Sequence, residues 1–307
     1  KQPGFPQVEI TQNDKSLVLK QSRFLMEPTP KTQKGLWHIP ITLGLGNETV
    51  TKLITKKSIT VKTPSSPGFV ANIGRTGFYR VKYDDGILLD LKMLVDQKQI
   101  PHVDRWAIQN DLFALCIAGK EDVANYLDFT DAYFDEDSYL PQTNVANNLN
   151  FLASLTFFED FGVEIREYAI NYFRKILSNL GWIPKKSDKH TDAFLRGVSI
   201  FVLGKFGDDL IIEQAEIKFK AFLKNPSTLH PDIREAIFSL VAWNGNAKTH
   251  SQFVTLYKKA KTMEEKLRFL GAMCSFRDEK LLIKTLQFSQ TSEVRSQNMQ
   301  LPIMRIA

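Results

Sequence analysis

A small all-β sandwich over residues 1–76, followed by an all-α superhelical solenoid of HEAT or armadillo character over residues 77–307, is the fold this sequence predicts. Three observations carry that reading. Up to Val61 apolar and polar side chains alternate with period two, the signature of half-buried strands. From Ile87 onward apolar residues recur at i, i+3, i+4 and i+7, the signature of amphipathic helices. Between them, residues 68–85 form a junction of strand-favouring residues broken by glycines.

Alternation places strands at residues 8–10, 17–19, 36–43, 49–53 and 58–61, divided by Asn13-Asp14, Pro28-Thr29-Pro30, residues 44–47 and Lys56-Lys57. Several short strands at that spacing describe a small sandwich. Residues 63–68, rich in proline and serine, read as a loop into the junction. There Val70, Phe78, Tyr79, Val81 and Tyr83 favour strands, and Gly74 and Gly77 have the spacing of a turn between two short ones. Phe78, Tyr79 and Arg80 are assigned to an interdomain junction, with both aromatic rings at least partly buried. Arg75, Arg80 and Lys82 suit a bound carboxylate, and equally suit solvated charge or an interdomain ion pair.

Helical periodicity then covers residues 87–98, 104–117, 123–133, 144–158, 163–180, 192–205, 208–223, 232–243, 251–260, 264–274 and 279–288. The breaks are short, and Asp104, Glu121, Asp208 and Asp232 open helices where an acidic side chain suits the dipole. Antiparallel helix pairs recurring without a strict sequence repeat describe an α-solenoid, whose concave face suits an extended partner. The stretch 298–307 begins a further helix with Pro302 in its first turn, too short to stand alone in water. Met299, Leu301, Met304 and Ile306 are therefore expected to fray or to mediate self-association through a truncated end.

Composition limits the function classes. At 307 residues and 43% hydrophobic content the chain holds about two domains. It has no apolar run long enough for a membrane span and no signal-peptide pattern at its start, which reads as internal to a longer protein. Cys116 and Cys274 lie far apart in apolar helical patterns, which argues for buried thiols, a reducing compartment and a cytoplasmic location. The triplet Asn47-Glu48-Thr49 fits a glycosylation acceptor but carries no meaning in that compartment. The net charge of +6 belongs to the first quarter: residues 1–75 hold 11 Lys and Arg against 4 Asp and Glu, the remainder 29 against 30. Its lysines, among them Lys15, Lys20, Lys31, Lys34, Lys52, Lys56, Lys57 and Lys62, fall on strands and loops, where they block edge pairing. With neither a stacking platform nor an arginine-rich helix, nucleic acid is not an expected partner.

Chemistry-bearing motifs are sparse. His38, His102, His190, His230 and His250 include no i, i+4 pair, and no Cys-x-x-Cys, phosphate loop or nucleophile elbow occurs. His102, just before a helix, reads as a surface or capping residue rather than a base. The acidic run Asp128, Asp131, Asp135, Glu136 and Asp137, interleaved with Phe129, Tyr133, Phe134 and Tyr139, is the main ligand-facing candidate, the alternative being a solvated helix end. Asp135, Glu136, Asp137 and Tyr139 are the candidate substrate-facing residues.

Residues 69–85 and the stretch Asp104-Arg105-Trp106-Ala107-Ile108-Gln109-Asn110-Asp111-Leu112-Phe113-Ala114-Leu115 together resemble two signatures downstream of the catalytic domain in gluzincin aminopeptidases. That family includes aminopeptidase N, the puromycin-sensitive enzymes and the tricorn-interacting factors. Pro3-Gly4-Phe5-Pro6, Gln21-Ser22-Arg23-Phe24-Leu25 and Trp37-His38-Ile39-Pro40 resemble its sandwich motifs in the expected order, while beyond Ala118 the resemblance rests on helical pattern. It implies the carboxy-terminal region of a zinc enzyme that removes amino-terminal residues from peptides. The family's zinc helix and its Gly-x-Met-Glu-Asn motif lie upstream of Pro3. Gly271-Ala272-Met273-Cys274 departs from that motif at the glutamate and reads as core packing. No catalytic or metal residue carries over, so zinc belongs to the parent's catalytic domain and this chain alone is expected to be inactive. In the family the sandwich is a spacer, and the helical bowl covers the active site and limits or holds the peptide. The implied partners are a peptide substrate and the parent's own catalytic domain. A free-standing solenoid adaptor that binds a protein or peptide partner is the alternative.

Overall fold

Residues 4–13, 15–27, 35–45, 48–62 and 69–306 are described by the structure, a computed structural model. Lys31, Lys34, Asn47 of the glycosylation triplet and the loop 63–68 lie outside the described residues. The chain divides into two compact units, Lys1–Leu149 and Asn150–Ala307.

In the first unit, alternation produces strands where the pattern demands them: β1 (Phe5–Asn13), β2 (Ser16–Phe24), β3 (Ile39–Leu45), β4 (Glu48–Ile54) and β5 (Ser58–Lys62), joined by the short β6 (Phe69–Ala71) and β7 (Arg80–Tyr83). They form two sheets, one ordered β5-β2-β1-β7 and the other β4-β3-β6. Val8, Ile10, Leu17 and Leu19 of the first sheet and Ile41 and Leu43 of the second are fully buried, so every second residue goes to the sandwich core. The two junction strands do not pair with each other. β6 is antiparallel to β3, whereas β7 joins β1 in parallel, with Val8 opposite Val81 and Ile10 opposite Tyr83. The junction is thus the point where the chain leaves one sheet for the other.

Helices follow at once: α1 (Asp85–Asp96), α2 (His102–Ile117), α3 (Val123–Thr130) with a 3-10 turn at Asp131–Tyr133, and α4 (Tyr139–Leu155). Asp84 caps α1 by accepting from the Ile87 amide, and Asp122 caps α3 through the Ala124 amide. α4 starts earlier than its apolar period, because Pro141 is tolerated in a first turn.

The second unit is a stack of helix pairs. α5 (Gly162–Leu180) packs on α6 (Asp192–Lys205), α7 (Asp209–Lys224) on α8 (Pro231–Trp243), α9 (Ala247–Lys259) on α10 (Met263–Met273), and α11 (Glu279–Ser289) on α12 (Gln300–Ile306). The second members continue the stack, α6 against α8, α8 against α10 and α10 against α12. That is the two-helix repeat of a solenoid, in which each pair buries its apolar face on its neighbours. α8 is accordingly buried on most sides, with Ile233 and every residue from Ala236 to Ala242 inside. Gly204 permits the close approach of α6 to α8, since a Cβ there would lie 2.3 Å from a Leu240 methyl. α12 is seated on α10 and α11 with Pro302 buried, while Ile303 and Met304 stay exposed.

The burial expected of Phe78 is corrected: Tyr79 is 3% exposed, but Phe78 is 83% exposed. Both residues lie in the bend that leads into β7, and there the core side went to Tyr79. The Phe5 ring lies beside Phe78, at a centroid distance of 5.2 Å.

Candidate functional site

Residues 72–83 are fastened to α2 by charged hydrogen bonds as well as by the buried side chains of β7 and α2. The turn is made by three residues within four positions, Asn72, Gly74 and Arg75, all with φ near +60°. Asn72 is buried and organises it: its amide nitrogen donates to the carbonyls of Gly77 (3.0 Å) and Tyr79 (3.2 Å), and its side-chain oxygen accepts from the Gly77 amide (2.8 Å). Gly77 has no substitute there, because a Cβ would lie 2.1 Å from the Tyr79 ring.

α2 meets this turn with Asp104 and Asp111, seven residues apart and therefore on one face two turns apart. The Gly74 amide donates to Asp104 Oδ1 at 2.6 Å. Asp111 accepts from both terminal nitrogens of Arg75 (2.5 and 2.6 Å), from Arg80 (2.8 Å) and from the Val81 amide (2.9 Å). Its side chain is 3% exposed, and two guanidinium groups compensate its buried charge. Burial pushes the Asp104 carboxyl above the usual range, against the pull of the Gly74 amide. The three basic residues of the junction thus divide between Asp111, held by Arg75 and Arg80, and Glu121, which lies 3.4 Å from Lys82.

Behind α2 lies a buried amide network. Gln109 donates to Asn144 (2.5 Å) and accepts from the Tyr126 hydroxyl and the Asn148 amide (both 3.2 Å), while Asn148 also donates to Tyr126 (2.9 Å). These bonds fix α3 and the first part of α4 on α2 in one register.

The acidic run does not form one surface. Glu136 is turned inward and buried, accepting two 2.7 Å bonds from Arg105. Tyr133 is buried and donates to the Arg105 carbonyl at 2.7 Å. Asp137 is largely exposed, 3.0 Å from Lys98, whose ammonium holds its carboxyl below the usual range. Asp135 is exposed, and Tyr139 opens α4 half-buried. Asp128 and Asp131 flank Lys92, at 2.8 and 3.7 Å. Beside that pair an open groove of about 230 Å³ runs between α1 and α3, lined by Asp85, Leu88, Leu89, Lys92, Asp128 and Phe129 among others. Sequence reasoning found the acidic run and missed Asp104, Asp111 and Gln109. The available signal was polar residues on the buried stripe of α2.

His230 caps α8, His250 is buried against Thr285, and His102 opens α2 exposed. Cys116 and Cys274 are buried free thiols, pushed by burial up to about 12 and about 11. Among the described residues no three His, Cys, Asp or Glu side chains converge as a metal set, so the donors present do not fit a zinc centre.

A sandwich locked by buried carboxylates onto a helix, followed by stacked helix pairs, defines the class by its fold: a β-sandwich joined to a two-helix solenoid. Residues 69–307 match the family described as ERAP1-like C-terminal domain, and the chain belongs to that family. It is 31% identical to Aminopeptidase M1 of Arabidopsis thaliana and 29% identical to Aminopeptidase M1-D of Oryza sativa subsp. japonica, over 97% of this chain and 36% of each relative. It is 24% identical to the Puromycin-sensitive aminopeptidase of Caenorhabditis elegans, over 97% of this chain and 33% of that protein. The chain therefore spans about a third of the length of these relatives, and the resemblance read from the motifs holds along nearly all of it.

Proposed function

We propose that this chain is the non-catalytic carboxy-terminal region of a zinc aminopeptidase that removes amino-terminal residues from peptides. In this reading residues 1–76 are the spacer and residues 77–307 the helical part that covers the active site and limits or holds the peptide. The observation that supports it most is the family match over residues 69–307, which begins at β6 and takes in the whole Asp111 junction and every helix pair. The junction suits a spacer because four hydrogen bonds onto one buried carboxylate resist shear better than apolar contact does. The stack suits a wall because α6, α8, α10 and α12 form one continuous row, a rigid face longer than any single helix. Zinc and the catalytic groups are supplied elsewhere in the parent, and a cytoplasmic location accords with two buried reduced thiols.

The test has two arms. The purified chain is assayed for bound zinc and for hydrolysis of aminoacyl reporter amides, with no turnover expected. The parent enzyme, with and without Asp111→Ala, is assayed on a dipeptide reporter and on longer peptides, and the substitution is expected to alter the longer peptides more. Chelator-sensitive turnover by the chain alone, or identical length profiles for both parents, would overturn the reading.

A further inference from the structure

The two ends of α5 present exposed apolar side chains among charges of opposite sign. At its amino end the chain arrives from α4 through a pinched loop. The Gly162 backbone lies against the Thr156 carbonyl, where a Cβ would come within 1.8 Å of the oxygen, so residues 157–161 stand out as one knuckle. Its base is fixed: the buried Thr156 hydroxyl donates to the Leu152 carbonyl at 2.9 Å, and Arg166 donates to the Phe157 carbonyl at 3.1 Å with its guanidinium over the Phe157 ring. The tip reads Phe158-Glu159-Asp160-Phe161, all four exposed and Phe158 95% exposed. Leu155 and Val163, one residue outside the pinch on either side, are exposed as well. Elsewhere among the described residues no stretch as short as 155–163 exposes more than two large apolar side chains. Glu159, Asp160 and, on the first turns of α5, Glu164 and Glu167 are exposed, and among the described residues no cation lies within 4.0 Å of them.

The carboxyl end of α5 is the reverse. The buried Arg196 donates to the carbonyls of Leu180 and Gly181 and pairs with Asp188, which also accepts the Lys185 amide, while Asp192 accepts the Lys189 amide. The loop is thereby held, and its own carboxylates face inward to it. Outward it presents Ile183-Pro184-Lys185-Lys186, with Ile183 73% exposed. Lys185 and Lys186 are exposed, and among the described residues no carboxylate lies within 4.0 Å of either ammonium.

We infer that the partner for these surfaces is a second copy of this chain, the knuckle of one copy docking on the 183–186 loop of the next. The 19 residues of α5 hold the two surfaces about 28 Å apart on one rod, so they cannot satisfy each other within a molecule. Between molecules the chemistry matches: Phe158 and Phe161 meet Ile183, and Glu159 and Asp160 meet Lys185 and Lys186. The helix dipole accounts for acids at the start of α5 and cations past its end. It does not account for exposed rings standing between the acids, or for an exposed isoleucine before the lysines, and grouped apolar exposure of this kind marks an interaction surface. Like charges exclude knuckle-to-knuckle and loop-to-loop pairing. The contact is therefore heterologous, and each terminal copy keeps one surface open for the next. A contact this small is weak and sensitive to salt. It goes beyond the peptidase reading and requires neither zinc nor a catalytic domain.

Sedimentation velocity of the purified chain from about 10 μM to about 1 mM tests it. The weight-average sedimentation coefficient should rise with concentration at low salt and stay flat at about 0.5 M salt. Two double substitutions, Glu159→Lys with Asp160→Lys, and Lys185→Glu with Lys186→Glu, should each weaken association by about tenfold or more. Mixed in equal amounts, the two reversed chains should associate again, because each reversed surface then meets its complement on the other chain. A monomer at every concentration, association that persists in either reversed chain alone, or a mixture no more associated than its components would overturn the inference. Should a reversed chain fail to fold, Phe158→Ser and Ile183→Ser decide, each changing one exposed side chain: about tenfold weaker association in both supports the contact, and unchanged association in either rules it out.

Discussion

The two compact units are held together by different physics. In the first, the residues that fix one element on another are buried and polar: Asn72, Asp104, Arg105, Gln109, Asp111, Glu136 and Asn148. In the second, the centre is an aromatic cluster in which Phe219, Phe222, Phe238, Phe253 and Phe269 stand within 6.4 Å of one another, ring to ring, along the contacts they make. The difference follows from the task. A turn that carries the chain from one sheet to the other must be seated at one position, and directional bonds to Asp111 allow only one. Stacked helix pairs need a continuous apolar filling, and rings provide large buried area without strict direction. The polar seat gives uniqueness of register; the aromatic stack gives area.

Four measurements would break or sharpen that contrast. The largest effect is expected from Phe238→Ala, which removes a ring 1% exposed at the centre of the cluster. It should lower the stability of the second unit by about 3–5 kcal/mol in denaturant titration, and a loss under about 1 kcal/mol would show that the cluster is loosely packed. Asp111→Ala comes next. It strands Arg75, Arg80 and the Val81 amide at once and should destabilise the first unit by about 3 kcal/mol, with hydrogen exchange rising first at the amides of β7. Unchanged exchange there would mean that apolar contacts seat the junction.

A smaller effect should appear on acidification of the second unit. His250 Nε2 lies 3.0 Å from Thr285 Oγ1, whose own proton goes to the carbonyl of Leu281 or Met273, so Nε2 carries a proton and donates. Burial, with a lesser push from Lys284, holds the imidazole below its ordinary value. The unfolded chain therefore takes up a proton before the folded one does. The sign follows: stability is full above about pH 6.5 and is lost as pH falls from there toward the depressed folded value. His250→Gln should flatten that slope, and an equal slope in both proteins would place the acid sensitivity elsewhere. The smallest effect is expected from Phe78→Ala, in contrast to the 3–5 kcal/mol that a fully buried ring would cost. At 83% exposure the change should stay within about 0.5 kcal/mol, and a larger loss would mean that the Phe5 contact matters to the sandwich.

Much of the fold was legible in residue pattern. All five long strands and eleven helices fall where period two and period 3.6 place them, because those periods report directly which side of an element is buried. Boundaries moved where capping or proline chemistry overrode the apolar pattern, as at Asn246, which opens α9 before its first apolar residue, and at Pro141 in α4. The site was legible only in part. The acidic run at 128–137 stood out by composition, yet Glu136 proved to be an internal partner of Arg105, since a carboxylate looks the same in sequence whether water or a guanidinium receives it.

What the sequence by itself determined is the order of strands and helices, the two-helix rhythm of the second unit and the family, since each rests on local periodicity or contiguous motifs. Tertiary structure alone decided that β7 joins β1 in parallel, that Tyr79 rather than Phe78 is buried, and that Asp111 collects two arginines from residues 36 and 31 positions away. The physical reason is the same in each case. These outcomes depend on which group, distant along the chain, arrives to satisfy a buried charge or fill a face, and no local pattern encodes that arrival.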